Sequence, residues 1–290
     1  MIDGELEQAL RYALGSAVQS VRRLSGGDIN DAFEVELKSG VRVFVKTNAS
    51  AAASMFPAEA QGLDWLRAAG ALRVPEVLAV SSGREGEPCF LALELLTPAK
   101  PQRDFDEQLG RGLAKLHRAG ADRFGLALDN FIGSLPQRNR AHDTWADFFW
   151  YERLEPQLTR AVAAGQATAR MRSGLERLAA KLAQLVGPSE PPARLHGDLW
   201  GGNLHVDDAG APCLIDPAAY GGHREVDLAM MRLFGGFGES VFRAYQELWP
   251  LAPGYAERIA LYQLYPLLVH VNLFGGGYAE SVERSLARYV

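Results

Sequence analysis

The chain has 290 residues, a length that fits one large domain or two lobes. Its 48% hydrophobic and 22% charged residues are ordinary proportions for a soluble globular protein. The formal net charge of −5 argues against an electrostatic nucleic-acid binder, which normally presents a basic face.

The first hundred residues alternate short strand-like and helical segments. Ala32–Leu37 and Val41–Lys46 flank a Lys-Ser-Gly turn, and the second segment alternates with period two, so this pair predicts a β-hairpin. Apolar residues at helical spacing from Phe56 to Ala69 predict a helix that ends at Gly70.

Two further strands are predicted, over Val77–Val80 and Cys89–Leu96. Two prolines in Thr97–Pro101 break any continuing strand or helix, so this segment is the predicted linker. The prediction is therefore an N-lobe of residues 1–96 and a C-lobe of residues 97–290.

The rest of the chain is mostly helical in its pattern. Apolar spacing predicts helices over Phe105–His117, Trp145–Thr159, Ala167–Val186, Val226–Phe234 and Tyr255–Phe274. Two short strand-like pieces, Leu204–Val206 and Cys213–Ile215, interrupt the helices and predict a hairpin around Asp207–Gly210. The fold class expected is α+β, with a small β-rich N-lobe and a larger, mostly helical C-lobe.

We expect a cytoplasmic protein with no membrane or nucleic-acid partner. The most apolar long stretch, Ile259–Phe274, contains polar residues and a proline, unlike a membrane span. The first residues, Met1 to Glu5, are acidic and lack the order of a signal peptide. Cys89 and Cys213 lie far apart in apolar runs, which is typical of free thiols in a reducing compartment.

The strongest chemical signal is the loop from His196 to Asn203, here called the 196–203 loop, together with Asp216. Phosphoryl transfer requires positioning and neutralised charge more than covalent help. Asp198 suits a base that accepts or orients a hydroxyl proton, and His196 suits a hydrogen-bonding residue that holds the loop. Asn203 and Asp216 carry the hard oxygens that Mg²⁺ prefers. Because a hairpin follows Asn203, we expect Asp216 to return beside the loop.

A second signal is a lysine in the first lobe. Lys46 ends an alternating strand, and Glu59 lies on the apolar stripe of the next predicted helix. An inward carboxylate is costly unless it is paired, so we expect an ion pair between Glu59 and Lys46. Such a pair would hold the lysine against ATP phosphates; the alternative is a solvated charge at a strand end.

Weaker signals concern the nucleotide. Gly26 and Gly27, followed by Asn30, form a turn-like segment whose N–H groups could cover phosphates. The chain has no Walker A motif, which excludes the P-loop kinases. The segment from Glu94 to Leu96, near the linker, is the expected adenine-binding hinge, and its main chain would bind the adenine.

Asp227 opens a predicted helix. It suits a first-turn acid of that helix, support for the 196–203 loop, or both at once.

The chain resembles the fructosamine kinase (ketosamine-3-kinase) family, which is related to aminoglycoside phosphotransferases and choline kinases. The resemblance lies in Phe56–Leu63, Asn130–Gln137, His196–Asn203, Tyr220–Met230 and Gly275–Val282. It implies a bilobal protein-kinase-like fold and transfer of the ATP γ-phosphate to the 3-hydroxyl of a ketosamine. The phosphorylated product would then release the free amine, so the implied activity is deglycation.

The resemblance also implies roles for individual residues. Lys46 and Glu59 would position phosphates, Asp198 would be the catalytic base, and Asn203 and Asp216 would bind Mg²⁺. Some family members carry a cysteine in the glycine-rich loop that is associated with redox-controlled dimers. This chain has none there, so we expect a monomer without that disulfide switch.

The substrate end leaves alternatives open. Asn130, Trp200, His223 and Glu225 suit a modest polar sugar that carries an amine, although Trp200 also suits the helical core and Glu225 a helix start. The alternative enzyme is a kinase of an aminoglycoside, choline or another sugar alcohol. A pseudokinase-like scaffold is a third class, and a fructosamine, ribulosamine or erythrulosamine acceptor stays open.

Overall fold

The computed structural model describes residues 2–24, 29–81, 84 and 86–290. Gly26 and Gly27 lie outside the described residues, so their predicted contact with phosphates has no structural account. The described chain contains an antiparallel sheet in its first part and is largely helical in its later part, which confirms the predicted α+β class.

The secondary structure follows the chain in this order. The strands are β1 Val18–Leu24, β2 Asp31–Leu37, β3 Arg42–Thr47, β4 Val77–Val80, β5 Phe90–Glu94, β6 Asn130–Ile132, β7 Leu135–Gln137, β8 Ala193–Leu195, β9 Leu204–Val206, β10 Pro212–Leu214 and β11 Tyr220–Gly222. The helices are α1 Gly4–Leu14, α2 Met55–Arg67, α3 Phe105–Arg118, α4 Trp145–Phe148, α5 Glu155–Ala163, α6 Ala169–Ala179, α7 Leu182–Leu185, α8 Glu225–Phe234, α9 Glu239–Leu248, α10 Tyr255–Tyr262, α11 Leu264–Phe274 and α12 Tyr278–Leu286. A π-helical stretch, Phe149–Leu154, joins α4 to α5.

The chain forms two compact units. The first unit contains Met1–Phe105 and Leu204–Pro217, and the second contains Asp106–Asn203 and Ala218–Val290. By compactness the chain therefore divides after Phe105, and the β9–β10 hairpin joins the first unit. The predicted functional lobes, 1–96 and 97–290, stay a prediction.

The sheet of the first unit has five strands in the order β1-β2-β3-β5-β4, with every neighbouring pair antiparallel. The predicted hairpin is confirmed as β2 and β3, in which Val35 pairs with Val43. Their alternation buries Val43 and Val45 on one face of the sheet. The predicted helix after this hairpin is confirmed as α2.

The sequence pattern did not predict α1 and β1, which begin the chain. Asp3 caps the start of helix α1, because its side chain accepts a hydrogen bond of 2.8 Å from the N–H of Leu6. Its buried residues Leu6 and Leu10 belong to one hydrophobic cluster with Val35 and Val45 of the sheet. Helix α1 is therefore part of the core of the first unit.

The predicted hairpin of β9 and β10 is confirmed, with strand bounds that differ by one residue in β10. Asp207 accepts hydrogen bonds through Oδ1 from the N–H groups of Ala209 and Ala211, at 2.9 and 2.8 Å. This turn chemistry is what an Asp in a hairpin loop favours. The proximity of Asp216 to the 196–203 loop stays a prediction.

The second unit has one large core to which most of its helices contribute. The helices predicted near α3 and α8 are confirmed, whereas the predicted Tyr255–Phe274 helix is broken at Gln263 into α10 and α11. Pro266 lies in the first turn of α11, where its missing N–H costs no helical hydrogen bond. None of the helices in the described ranges combines the length and apolar character that crossing a bilayer requires.

Candidate active site

In the first unit, Lys46, Glu59 and Asp216 form a group of charges, here called the lysine cluster. The Lys46 Nζ atom lies 2.8 Å from Glu59 Oε1 and makes a second ion pair with the Asp216 carboxylate. Lys46 is only 6% exposed. The ion pair predicted between Lys46 and Glu59 is therefore present, and Asp216 joins it.

The protonated form of Lys46 is favoured in this cluster. Burial alone would lower the pKa of the Lys46 ammonium, but the negative charges of Asp216 and Glu59 outweigh burial and raise it. Lys46 is therefore a fixed positive charge within the lysine cluster.

Asp216 reaches this position with an unusual backbone. Its φ is 55°, in the left-handed region that residues other than glycine adopt at a cost, although Asp tolerates it better than most. Strained conformations of this kind concentrate at functional sites.

In the second unit, the side chain of Asp227 holds the 196–203 loop. Asp227 lies in the first turn of helix α8 with a fully buried side chain, and it accepts hydrogen bonds from the N–H groups of His196, at 2.8 Å, and Gly197, at 2.9 Å. Burial alone would raise the pKa of Asp227, but the hydrogen bonds that it accepts, from His117 and from the main chain at Gly197, lower it. Asp227 is thus a carboxylate that acts on the loop through the main chain.

Gly197 allows the turn of this loop. Its φ is 82°, and a Cβ atom at this position would lie 2.1 Å from the carbonyl oxygen of Ala218. His196 uses its carbonyl to accept from the N–H of Ala218, at 3.0 Å, and its Nδ1 atom lies 3.3 Å from the N–H of Asp198. Through Nδ1 the buried imidazole thus accepts one hydrogen bond within the loop, as the sequence predicts.

Asn203 is bound directly to Asp198 within the loop. Its Nδ2 atom donates to the main-chain oxygen of Asp198, at 2.8 Å, and to the carboxylate Oδ2 atom, at 3.1 Å. Because the amide presents its nitrogen to Asp198, its oxygen is directed to the opposite side. The structure therefore brings Asp198 and Asn203 together, as predicted.

The residues predicted near the nucleotide have partners in the first unit. Asn30 accepts a hydrogen bond of 3.1 Å from Asn48. The Glu94 carboxylate, at the end of β5, accepts from Arg73, at 2.6 Å, and from the N–H of Glu76, at 2.9 Å. Leu96 follows β5 and is half-buried. Because the hinge prediction concerns main-chain groups, these side-chain contacts leave it open.

Two of the predicted substrate residues have contrasting surroundings. Asn130 is buried and donates to the carbonyl oxygen of Ala219, at 2.8 Å, while its own oxygen accepts from Gln137, at 2.8 Å. Trp200 is 42% exposed, and its indole ring lies against Gly202. Exposure therefore allows Trp200 to meet a ligand, whereas Asn130 organises the polypeptide around it.

The other two, His223 and Glu225, are buried. Glu225 is bound by two hydrogen bonds to Arg258, at 2.8 and 2.6 Å. The ring of His223 stacks on Tyr262 with 5.4 Å between centroids, and burial lowers the pKa of His223 to about 4. Since neither side chain presents a free polar group to solvent, their placement gives no support to the predicted substrate roles.

The sequence interpretation missed two residues that contact this region. His117, in α3, lies 3.1 Å from Asp227 through its Nε2 atom and 2.8 Å from the hydroxyl of Tyr245 through its Nδ1 atom. The available signal was His117 itself, four residues after the buried Leu113 and therefore on the apolar face of α3. A polar side chain on such a face requires a partner.

The fold and these side chains together define a phosphotransferase of the protein-kinase-like class, as predicted. An amicoumacin kinase solved with AMP-PNP and Ca²⁺ has a TM-score of 0.64 to this chain. The match covers 98% of this chain and 92% of that one, but the identity of 15% makes it a likeness of fold alone.

The sequence comparison identifies the family. The family model described as fructosamine kinase matches residues 3–290. A candidate ketoamine kinase from Synechocystis is 40% identical over 93% of this chain and 90% of its own length. The chloroplastic protein-ribulosamine 3-kinase of Arabidopsis thaliana is 35% identical over 98% of this chain and 86% of its own length. The chain belongs to the fructosamine kinase family.

A solved structure agrees with this assignment. The structure of a candidate fructosamine-3-kinase from Thermobifida fusca has a TM-score of 0.89 and 38% identity to this chain. The match covers 99% of both chains. Family membership therefore extends over the whole length, and the chain is an enzyme that transfers phosphoryl groups.

Proposed function

We propose that this protein transfers the γ-phosphate of ATP to the 3-hydroxyl of a ketosamine, the adduct of a sugar and an amine. The observation that carries the reaction type is the bond between Asn203 and the carboxylate of Asp198, which positions a base in a loop. The names of the relatives, ketoamine kinase and protein-ribulosamine 3-kinase, support the substrate class.

In the proposed reaction, the carboxylate of Asp198 accepts a hydrogen bond from the 3-hydroxyl and then its proton. The hydroxyl oxygen forms a bond to the γ-phosphorus, and the bond from that phosphorus to the bridging oxygen breaks, so ADP leaves with the electron pair. Asn203 holds Asp198 through this step because its Nδ2 atom donates to the carboxylate.

The proposed nucleotide contacts lie in the first unit. Lys46, kept positive by its two carboxylate partners, would meet the phosphates. Gly26, Gly27 and Asn30 would cover them from the glycine-containing turn. The main chain of Glu94 and of Leu96 would bind the adenine.

We propose Asn203 and Asp216 as ligands of Mg²⁺. An amide oxygen and a carboxylate fit this ion, which takes few protein ligands and completes its shell with water and phosphate. The amide oxygen of Asn203 is directed away from Asp198, and this direction supports its role as a ligand. When bound, Mg²⁺ would neutralise charge on the phosphates.

The phosphorylated ketosamine would release its amine, so the overall result would be deglycation. Trp200 is the predicted substrate residue that stays in this proposal, because its exposed indole can stack on a sugar. We also propose that the enzyme acts in the cytoplasm as a monomer without nucleic acid.

A coupled ADP-release assay tests the proposal across fructosamine, ribulosamine and erythrulosamine substrates, with an aminoglycoside and choline as comparison acceptors. We expect turnover only with ketosamines, and only with Mg²⁺ present. Asp198→Asn should lower kcat by about 10²- to 10⁴-fold, the usual contribution of a general base. Asp208→Asn, a change at an exposed hairpin residue, is the control and should leave kcat unchanged.

Two outcomes would overturn parts of this proposal. Turnover of the aminoglycoside or choline alone would favour the alternative small-molecule kinase, which the family match across residues 3–290 does not favour. Full activity of Asp198→Asn with an authentic ketosamine would remove Asp198 from the mechanism.

A further inference from the structure

A buried chain of polar side chains ends on the 196–203 loop, and its middle residue is His117. Its Nε2 atom lies 3.1 Å from Asp227 Oδ2, and its Nδ1 atom lies 2.8 Å from the hydroxyl of Tyr245. All three side chains are fully buried. The Asp227 Oδ2 atom that meets His117 is also the acceptor for the N–H of His196.

The proton positions in this chain follow from the chemistry of its members. A carboxylate can only accept, so His117 donates to Asp227 through Nε2–H. Burial raises the pKa of the Tyr245 phenol, against the opposing effect of Arg224, so the phenol keeps its proton. The Tyr245 hydroxyl can therefore donate to Nδ1, and this contact selects one tautomer of His117.

The three residues come from distant parts of the sequence. His117 lies in the last turn of α3, Asp227 in the first turn of α8 and Tyr245 in α9. His117 is separated by 110 residues from Asp227 and by 128 from Tyr245. Their convergence therefore ties three helices to one carboxylate, whose other contacts are the N–H groups just before Asp198.

We propose that His117 is a positioning residue for phosphoryl transfer, which orients the Asp227 carboxylate and through it the main chain that carries Asp198. This inference rests on the proposed role of Asp198 as the base. Without the donor from His117, the Asp227 carboxylate loses one of the contacts that fix its rotation. A base displaced by a fraction of an ångström loses rate even when its substrates still bind.

The first test compares kcat with KM. His117→Ala should lower kcat by about 10- to 100-fold, as loss of a residue that orients a catalytic group does, with KM for ATP and ketosamine changed less than about threefold. His117→Gln keeps a donor near the position of Nε2 and should restore most of kcat. Tyr245→Phe should lower kcat by about fivefold, the effect of losing one neutral hydrogen bond.

His142→Ala is the matched control for His117→Ala. His142 also donates to a buried carboxylate in the second unit, with Nε2 at 2.8 Å from Glu152 Oε1, but the N–H groups of His196 and Gly197 donate to Asp227 and not to Glu152. We expect its kcat to stay within about twofold of wild type, since a general loss of packing is all it shares with the His117 variants. An equal loss of kcat in His142→Ala and His117→Ala would overturn the proposal.

The second test does not depend on turnover. Hydrogen exchange of the peptide that contains His196 and Gly197 reports their N–H bonds to Asp227. We expect faster exchange there in His117→Ala, with wild-type rates restored in His117→Gln. Unchanged exchange together with unchanged kcat would overturn the inference. Absence of ketosamine turnover by the wild-type enzyme, with exchange changed as expected, would instead overturn the proposed function.

If His117→Ala does not fold, His117→Gln and Tyr245→Phe carry the test. Both keep a side chain of similar volume, so the core around them stays filled. Retained kcat and retained exchange protection in Tyr245→Phe, together with a full loss in His117→Gln, would show that the donor to Asp227 is not what matters and would overturn the proposal.

Discussion

In the first unit, the positive charge of Lys46 is held between two carboxylates, those of Glu59 and Asp216. In the second unit, one carboxylate, that of Asp227, holds two neutral N–H groups of the main chain. Attraction between full charges depends weakly on angle, whereas hydrogen bonds to N–H groups weaken steeply as they bend.

This difference matches what each region is proposed to do. Lys46 would follow the phosphates of a nucleotide, and a charge can stay attracted to its partners through small movements. Asp198 would accept a proton, and a base must lie within hydrogen-bond reach of that proton. The proposed role of the first region therefore depends mainly on the charge of Lys46, and that of the second on the exact position of Asp198. Variants that change one property but keep the other should separate the two regions.

The largest effect is expected for Lys46→Met, which removes the charge and keeps the length. Glu59 would be left as a buried carboxylate without its cation, so the free energy of unfolding should fall by about 3 kcal/mol. Chemical denaturation measures this loss. Arg23→Met is the control, because Arg23 and Asp31 form an ion pair in the same sheet with side chains 71% and 51% exposed. An equal loss in both variants would contradict the assignment.

Next in size is Gly197→Ala, which tests geometry without changing charge. The added Cβ atom would lie 2.1 Å from the carbonyl oxygen of Ala218, so we expect a loss of about 2–3 kcal/mol. Gly40→Ala is the matched control: its φ of 84° is nearly that of Gly197, at 82°, but no atom lies within 4 Å of its Cβ position. Thermal denaturation measures both losses of stability. Equal losses in the two variants would show that the strained backbone, and not the contact with Ala218, causes the loss in Gly197→Ala.

A smaller effect is expected for Asp227→Asn. The carboxylate uses both oxygens toward the loop, and an amide would turn an NH₂ group toward one of the N–H donors. We expect a loss of about 1–3 kcal/mol in denaturant unfolding. Asp207→Asn is the control, because Asp207 accepts both of its N–H bonds through Oδ1, which an amide retains. A greater loss at Asp207 than at Asp227 would contradict this account.

The smallest effect is in the pH dependence of stability, where the two regions should differ in sign. The pKa of Lys46 is raised above its ordinary value of 10.5, so its contribution is full below 10.5 and is lost as the pH rises through the higher folded value. The pKa of Asp227 is lowered below 3.8, so its contribution is present above 3.8 and is lost as the pH falls through the folded value.

Denaturant unfolding of wild type, Lys46→Met and Asp227→Asn over a pH series measures both windows. The difference between wild type and Lys46→Met should shrink in the alkaline range, and also in the acid range, where the Glu59 carboxylate left without its cation becomes protonated. The difference between wild type and Asp227→Asn should shrink only in the acid range. Differences in the free energy of unfolding that stay constant across the whole pH series would contradict the pKa shifts given for Lys46 and Asp227.

Much of the fold was predictable where the signal was local. The period-two pattern of Val41–Lys46 gave the strand that carries Lys46, and apolar spacing gave the helix that carries Glu59. The turn residues Asp207 to Gly210 gave the hairpin before Asp216. In each case neighbouring residues carry the information, because strand alternation and turn chemistry act over a few positions.

The sequence pattern did not separate substrate contacts from structural contacts among the predicted substrate residues. Asn130, His223 and Glu225 are polar, and a polar side chain near a proposed site can meet a substrate or hold the polypeptide. The structure shows Glu225 bound to Arg258 and Asn130 bound to main-chain and side-chain groups, both buried. Residue type does not distinguish these uses, since the same donors and acceptors serve in both.

The sequence by itself determined the α+β class, the family resemblance and the residue types needed for phosphoryl transfer, because these depend on local patterns and short motifs. Only the tertiary structure decided that Asp227, which His117 contacts, holds the 196–203 loop, and that Asp216 joins Lys46. Lys46 and Asp216 are 170 residues apart, and no local pattern encodes the pairing of such distant side chains. Packing of the helices and strands brings them together, and burial then makes each contact necessary.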